Sequence, residues 1–215
     1  MEKGDKKVIR GWVFYDWANS VYNLVISSAI FPIFYNKVTE AHYLEQKGAV
    51  ALKENETVIV EFFGSQISSS VLFSYVLSAS FLVVAILSPI LSGVADYSGN
   101  KKRFLQFFCY FGSLSAMSLF FFDTNHMELS MLSVFFASIG FWNSLVFYNA
   151  YLPEIAFPKD HDRISAKGFT MGYFGSMILL ILCLVWTQVL DYPAKYCFLF
   201  VGIWWAGFSQ ITYRV

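Results

Sequence analysis

The chain has 215 residues, of which 57% are hydrophobic, 20% aromatic and only 14% charged, with no net charge and a mean hydropathy of +0.53. That composition excludes an ordinary soluble domain. Zero net charge, with most cations placed beside apolar segments, gives nucleic-acid binding no support.

Crossing a bilayer core takes about 20 mostly apolar residues, and such windows predict spans at roughly 12–37, 67–95, 104–122, 129–152, 168–190 and 195–213. Long unbroken runs are helices, because barrel strands are about half that length and alternate in polarity. The fold class is therefore all-α integral membrane, with six transmembrane helices forming one transmembrane domain over residues 1–215. The segment 39–66 is too charged to cross and reads as an outer loop with room for a short helix outside the membrane. Lys3, Lys6, Lys7, Arg10, Lys101, Lys102, Arg103, Lys159, Arg163, Lys167 and Arg214 fall on one side. The acidic outer loop falls on the other, which places both termini in the cytoplasm. The charged start and full-length first span argue against a cleaved signal peptide.

The first span opens with YDWANSVYN (15–23). Asp16, Asn19 or Ser20, Asn23 and Ser27 recur every three or four residues, so an ideal helix carries them as one polar stripe, opposite Val13, Leu24 and Phe31. Exposing that stripe to lipid costs several kcal/mol, so it must meet other helices or a water-filled cavity. It reads either as interhelical glue or as a substrate or ion pathway. The fourth span repeats the theme with Trp142, Asn143, Tyr148 and Asn149, and carries Glu154 at its cytoplasmic end. A three-plus-three inverted repeat would produce such an echo, and the two polar sets would then share a cavity. Ser70, Ser74 and Ser78 in the second span, and Gly168, Gly172 and Gly175 in the fifth, are small enough to be helix contact faces.

Cys109, Cys183 and Cys197 lie inside spans without motif spacing and read as small packing residues. Asn55-Glu56-Thr57 fits a glycosylation acceptor, which matters only in a eukaryotic secretory membrane. Asp160-His161-Asp162 beside Glu154 is the best constellation for an enzyme, but its spacing matches no helix-borne metal motif and Pro158 favours a loop. The chain is read as a non-enzyme that needs no cofactor or metal.

Between spans two and three, Asp96-Tyr97-Ser98-Gly99-Asn100-Lys101-Lys102-Arg103 resembles the signature loop of the major facilitator superfamily, G-x-x-x-D-R-x-G-R-R. With YDWANSVYN, FYNAYLPEIA (147–156) and RISAKGFTMGYFGS (163–176), the chain is similar from about residue 11 onward to the vacuolar amino-acid effluxers and their bacterial relatives. The resemblance implies a cytoplasmic gate in which Asp96 caps or pairs with a helix end and Gly99 makes the turn. Lys101, Lys102 and Arg103 take the basic positions, with Glu154 nearby. Tyr97 and Asn100 replace basic residues of the pattern, and Ser92 stands at its first glycine. The fourth helix lacks the arginine of proton-linked relatives, which puts proton antiport in doubt.

The resemblance implies a secondary transporter in the lipid bilayer of a plasma, inner or vacuolar membrane. It would move small solutes, amino acids among them, by alternating access. Superfamily members have two six-helix halves, so this chain is expected to work with a missing C-terminal half or a second copy of itself. Asp16, Asn19, Asn23, Trp142, Asn143, Tyr148 and Asn149 are the expected pathway residues. The competing reading is a six-span noncatalytic scaffold or channel subunit.

Overall fold

The computed structural model describes residues 3–215. The first helical rod runs without a break from Lys6 to Lys47, well past both ends of the expected first span. It consists of α1 (Lys6–Val21), a π-helical stretch (Tyr22–Ile30) and α2 (Phe31–Lys47). Asp5 starts the rod by accepting a hydrogen bond from the Lys7 amide at 2.8 Å, and Gly48 ends it in the left-handed conformation at φ +63°. The first part of the expected outer loop, residues 39–47, is thus the end of the first rod, which Gly48 closes.

The rest of that loop contains an antiparallel hairpin, β1 (Ile59–Phe62) and β2 (Ser65–Ser68). Phe63 and Gly64 at its tip both have positive φ, the requirement of a tight two-residue turn. The Phe63 amide donates to Glu128 Oε1 at 2.7 Å and so ties the hairpin to the bundle. Sequence periodicity gives no strand here, since four-residue strands leave little periodic signal.

The bundle continues with α3 (Ser69–Ser98), α4 (Lys101–Ser118), α5 (Met127–Ile155), α6 (His161–Leu184) and α7 (Lys195–Tyr213). Among the described residues, five helices are long and apolar enough to cross a membrane. The 19-residue α7 is not among them, for Trp204, Trp205, Gln210 and Tyr213 lower its hydropathy. It nevertheless packs along α1 and α4 and buries Cys197, Phe198, Val201, Trp205 and Ser209.

The core lies between α1, α4, α5 and α7, with α3 against α5 on one side and α6 against α1 on the other. Gly112 and Gly140 let α4 and α5 touch, since a Cβ at Gly140 would stand 2.3 Å from the Gly112 Cα. At the end of the bundle where α3 and α7 begin, Phe31, Phe34, Tyr35, Phe73, Phe122 and Phe198 form a cluster of tilted and edge-on rings. Phe31, on the face opposite the polar stripe, is buried in that cluster.

Candidate functional site

Asp16 sits midway along α1 with 4% of its surface exposed. The Tyr148 hydroxyl of α5 donates to its Oδ2 at 2.9 Å. Trp12, one turn earlier on α1, stacks on the Tyr148 ring at 4.1 Å and donates from Nε1 to the Tyr148 carbonyl at 2.8 Å. Each side chain thereby fixes the other. The buried carboxyl group is held by a neutral donor inside an aromatic clamp.

The third wall is α6. A Cβ at Gly168 would lie 2.6 Å from Asp16 Oδ2 and 2.9 Å from the Tyr148 hydroxyl, one at Gly172 would lie 2.5 Å from Ser20 Oγ, and one at Gly175 would lie 2.7 Å from the Trp17 carbonyl. Helical spacing puts all three glycines on one face, so α6 can approach α1 more closely than any larger residue permits. The polar stripe and the glycine face, two separate features of the sequence, are the two sides of one contact.

The stripe does not run as far as an ideal helix predicts. Asn19 is fully buried, its Oδ1 accepting a long bond from Ser20 Oγ at 3.4 Å, whereas Asn23 and Ser28 are exposed and Ser27 is half-buried. The cause is the π-helical stretch from Tyr22, whose i→i+5 bonding turns every later side chain away from the 3.6-residue register. Of the fourth-span residues, only Tyr148 meets Asp16. Asn143 is fully buried, donates to the Ile139 carbonyl of its own helix at 3.0 Å and accepts from Ser88 of α3 at 3.2 Å. Trp142 packs edge-on against Phe81 of α3, and Asn149 is exposed. Asn143 and Trp142 therefore join α5 to α3.

At the opposite end of α3, Gly99 closes the helix at φ +66°, the conformation the turn demands. Lys101 Nζ stands 2.6 Å from Asp96 Oδ1 and 2.7 Å from Glu154 Oε1, tying together the end of α3, the start of α4 and the end of α5. The other two cations have different surroundings. Lys102 donates to the Val215 carbonyl at 2.5 Å, and Arg103 is exposed along a groove beside Leu91 and Val94. The position of Glu154 in its span puts it at this end, but its sharing of Lys101 with Asp96 has no signal in sequence spacing. Asp160 is bonded to Arg163 at 2.7 Å, and the His161 ring lies 3.2 Å from the Ala156 carbonyl. Among the described residues, no group of three or more His, Cys, Asp and Glu is placed to hold a metal ion.

A family model described as vacuole effluxer Atg22 like matches residues 4–215. The chain is 33% identical to the uncharacterized MFS-type transporter YxiO of Bacillus subtilis, over 97% of this chain and 46% of that protein. It is 23% identical to autophagy-related protein 22 of Pyricularia oryzae, over 74% of this chain and 25% of that protein. It is also 23% identical to autophagy-related protein 22-1 of Phaeosphaeria nodorum, over 95% of this chain and 46% of that protein. The chain thus spans less than half the length of each of these relatives. No solved structure matches it.

Proposed function

Because the chain belongs to the vacuole effluxer Atg22-like family, we propose that it is a six-span half of a secondary transporter that moves small polar solutes, amino acids foremost, by alternating access. In this reading α7 is the sixth crossing, α1 and α5 are equivalent helices of a three-plus-three inverted repeat, and both termini face the cytoplasm. The membrane is a vacuolar, plasma or inner one, and the chain's work is transport, with no catalysis.

The observation that carries this reading is the Asp16–Tyr148 contact. Ionisable groups within spans are costly, and when present they mark solute or ion paths. Here the carboxylate is held by a single hydroxyl and faced by glycines, so a small relative movement of α1, α5 and α6 would open it to a solute's ammonium group. Asn19 adds a buried amide on the same helix. The Lys101 bridge, with Asp96 and Glu154 both partly exposed, has the form of a contact that breaks and re-forms as the cytoplasmic end opens.

A second half is supported by the polar groups left on the outside. Asn23, Ser78 and Asn149 are exposed within spans, where lipid is a poor neighbour for them. A companion six-helix half, or a second copy of this chain, would cover them and complete the pathway. Flux of labelled neutral amino acids into vesicles carrying the full-length gene product tests the proposal. Asp16→Asn should alter that flux at unchanged expression, whereas unchanged flux removes Asp16 from the pathway. A conductance that rises without saturation would instead favour the channel-subunit reading.

A further inference from the structure

A cavity of about 430 Å³ opens where α1 and α6 begin and α5 ends. Lys6 and Arg10 line it from α1, and Arg163 and Lys167 from α6, all four exposed. The one carboxylate in its lining, Asp160, is paired with Arg163 at 2.7 Å, which leaves Lys6, Arg10 and Lys167 with no acid to balance them among the lining residues. The floor is apolar, built from Ile9, Ile164 and Ala156, and Phe157 stands at the rim with 46% of its surface exposed. The amino-terminal segment is pinned beside the hollow by the Gly4 amide, which donates to the Ile155 carbonyl at 2.8 Å.

Three features of this hollow coincide. The cations come from segments more than 150 residues apart in sequence and converge on one concavity, which a general charge bias toward one side of the membrane does not require. Two helices start at its edge, so the positive ends of their dipoles add to the side-chain charge. Both helices are membrane-crossing candidates and the hollow lies where they begin, the level at which a crossing helix meets lipid headgroups, with the apolar Phe157 ring at its rim.

We propose that this hollow is a binding site for the headgroup of an anionic phospholipid, whose phosphate is held by Lys6, Arg10, Arg163 and Lys167 and whose glycerol and upper acyl carbons lie on Ile9, Ile164 and Phe157. Basic pockets between membrane helices are the recurrent form of such sites. The lipid would then bind α6 to α1 at the cytoplasmic end of the same helix pair that encloses Asp16. The site does not depend on the transport reading, because it requires only that α1 and α6 cross a bilayer.

The test is retention of phosphatidylglycerol by the full-length protein in phosphatidylcholine nanodiscs, counted by native mass spectrometry. The double variant Arg10→Gln with Lys167→Gln should weaken retention about thirtyfold, the loss that two cations near a membrane surface give. The charge-keeping pair Arg10→Lys with Lys167→Arg should restore it, and Lys53→Gln in the outer loop should leave it unchanged. Equal retention in the wild type and the neutral double variant would overturn the proposal. Displacement of the lipid by inorganic phosphate would also overturn it, in favour of a site for a soluble phosphate. Because the rescue pair keeps the charges, loss through misfolding is separated from loss of binding.

Discussion

The Tyr148 hydroxyl lies 2.9 Å from Asp16 Oδ2 and joins helices whose contacting residues are 132 positions apart. An interhelical hydrogen bond inside a membrane is worth about 0.6 kcal/mol on average and up to about 1.7 kcal/mol. Tyr148→Phe should therefore cost about 1 kcal/mol while keeping the ring that stacks on Trp12. Its effect on flux should resemble that of Asp16→Ala, which removes the acceptor of the same bond, whereas Asp16→Asn keeps an acceptor for the hydroxyl and changes only the charge. A double variant no worse than either single one, in stability and in flux, is the expected outcome of that cycle.

The glycine face of α6 makes a sharper demand. Gly168→Val puts branched carbon where Asp16 Oδ2 and the Tyr148 hydroxyl already stand, and should destabilise the protein by about 1–3 kcal/mol through overpacking. Gly207 of α7 meets nothing within 4 Å of a built Cβ, so Gly207→Ala should be neutral or stabilising by up to about 1 kcal/mol. Thermal unfolding in detergent compares the two. Equal shifts would show that α6 does not lie as close to α1 as the glycines allow.

Lys101 is shared by two partly exposed carboxylates, so Lys101→Met should change global stability by less than about 1 kcal/mol. Its effect should appear in access. With the ends of α3 and α5 no longer tied, a cysteine introduced at Ser98 should react faster with a soluble thiol reagent added on the side of the membrane where Lys101 lies, and flux should change. Unaltered labelling and flux would make the bridge a passive surface contact.

In the outer segment, Glu56 accepts from Lys47 Nζ at 2.6 Å, from the Lys53 amide at 3.0 Å and from the Tyr43 hydroxyl at 3.0 Å. The Lys47 ammonium, foremost, pulls its carboxyl from the usual 4.5 to about 2. A carboxyl depressed on folding contributes stability above its unfolded value and loses it as pH falls toward the folded one. Order in residues 48–58 should therefore hold above about pH 4.5 and decay between there and about pH 2. Amide exchange at Lys53 should speed up across that window and be fast throughout in Glu56→Gln. Exchange that is flat with pH would contradict the assignment.

The all-helical membrane class is legible in the sequence because unbroken apolar runs of spanning length rarely occur outside a bilayer. The Gly168, Gly172 and Gly175 face is legible as a contact, since small residues at helical spacing have one common use. The partner of that face is not, because spacing along α6 says nothing about which helix lies opposite. Asp16 and Tyr148 both stand out as polar residues within spans, but their pairing needs the fold. Asn23 falls in the stripe only when projected through a uniform helix, and the π-helical turns after Val21 leave no mark in composition. Gly112 and Gly140 carry no signal at all, for each is a lone glycine in its helix and only their mutual contact gives them meaning.

The most direct measurement is saturable uptake of labelled neutral amino acids into proteoliposomes containing the full-length gene product, compared between the wild type and Asp16→Asn. Uptake should saturate with solute concentration and be altered in the variant at equal protein incorporation. Uptake absent from the wild type, or identical in both proteins, would contradict a transport pathway through the Asp16–Tyr148 contact.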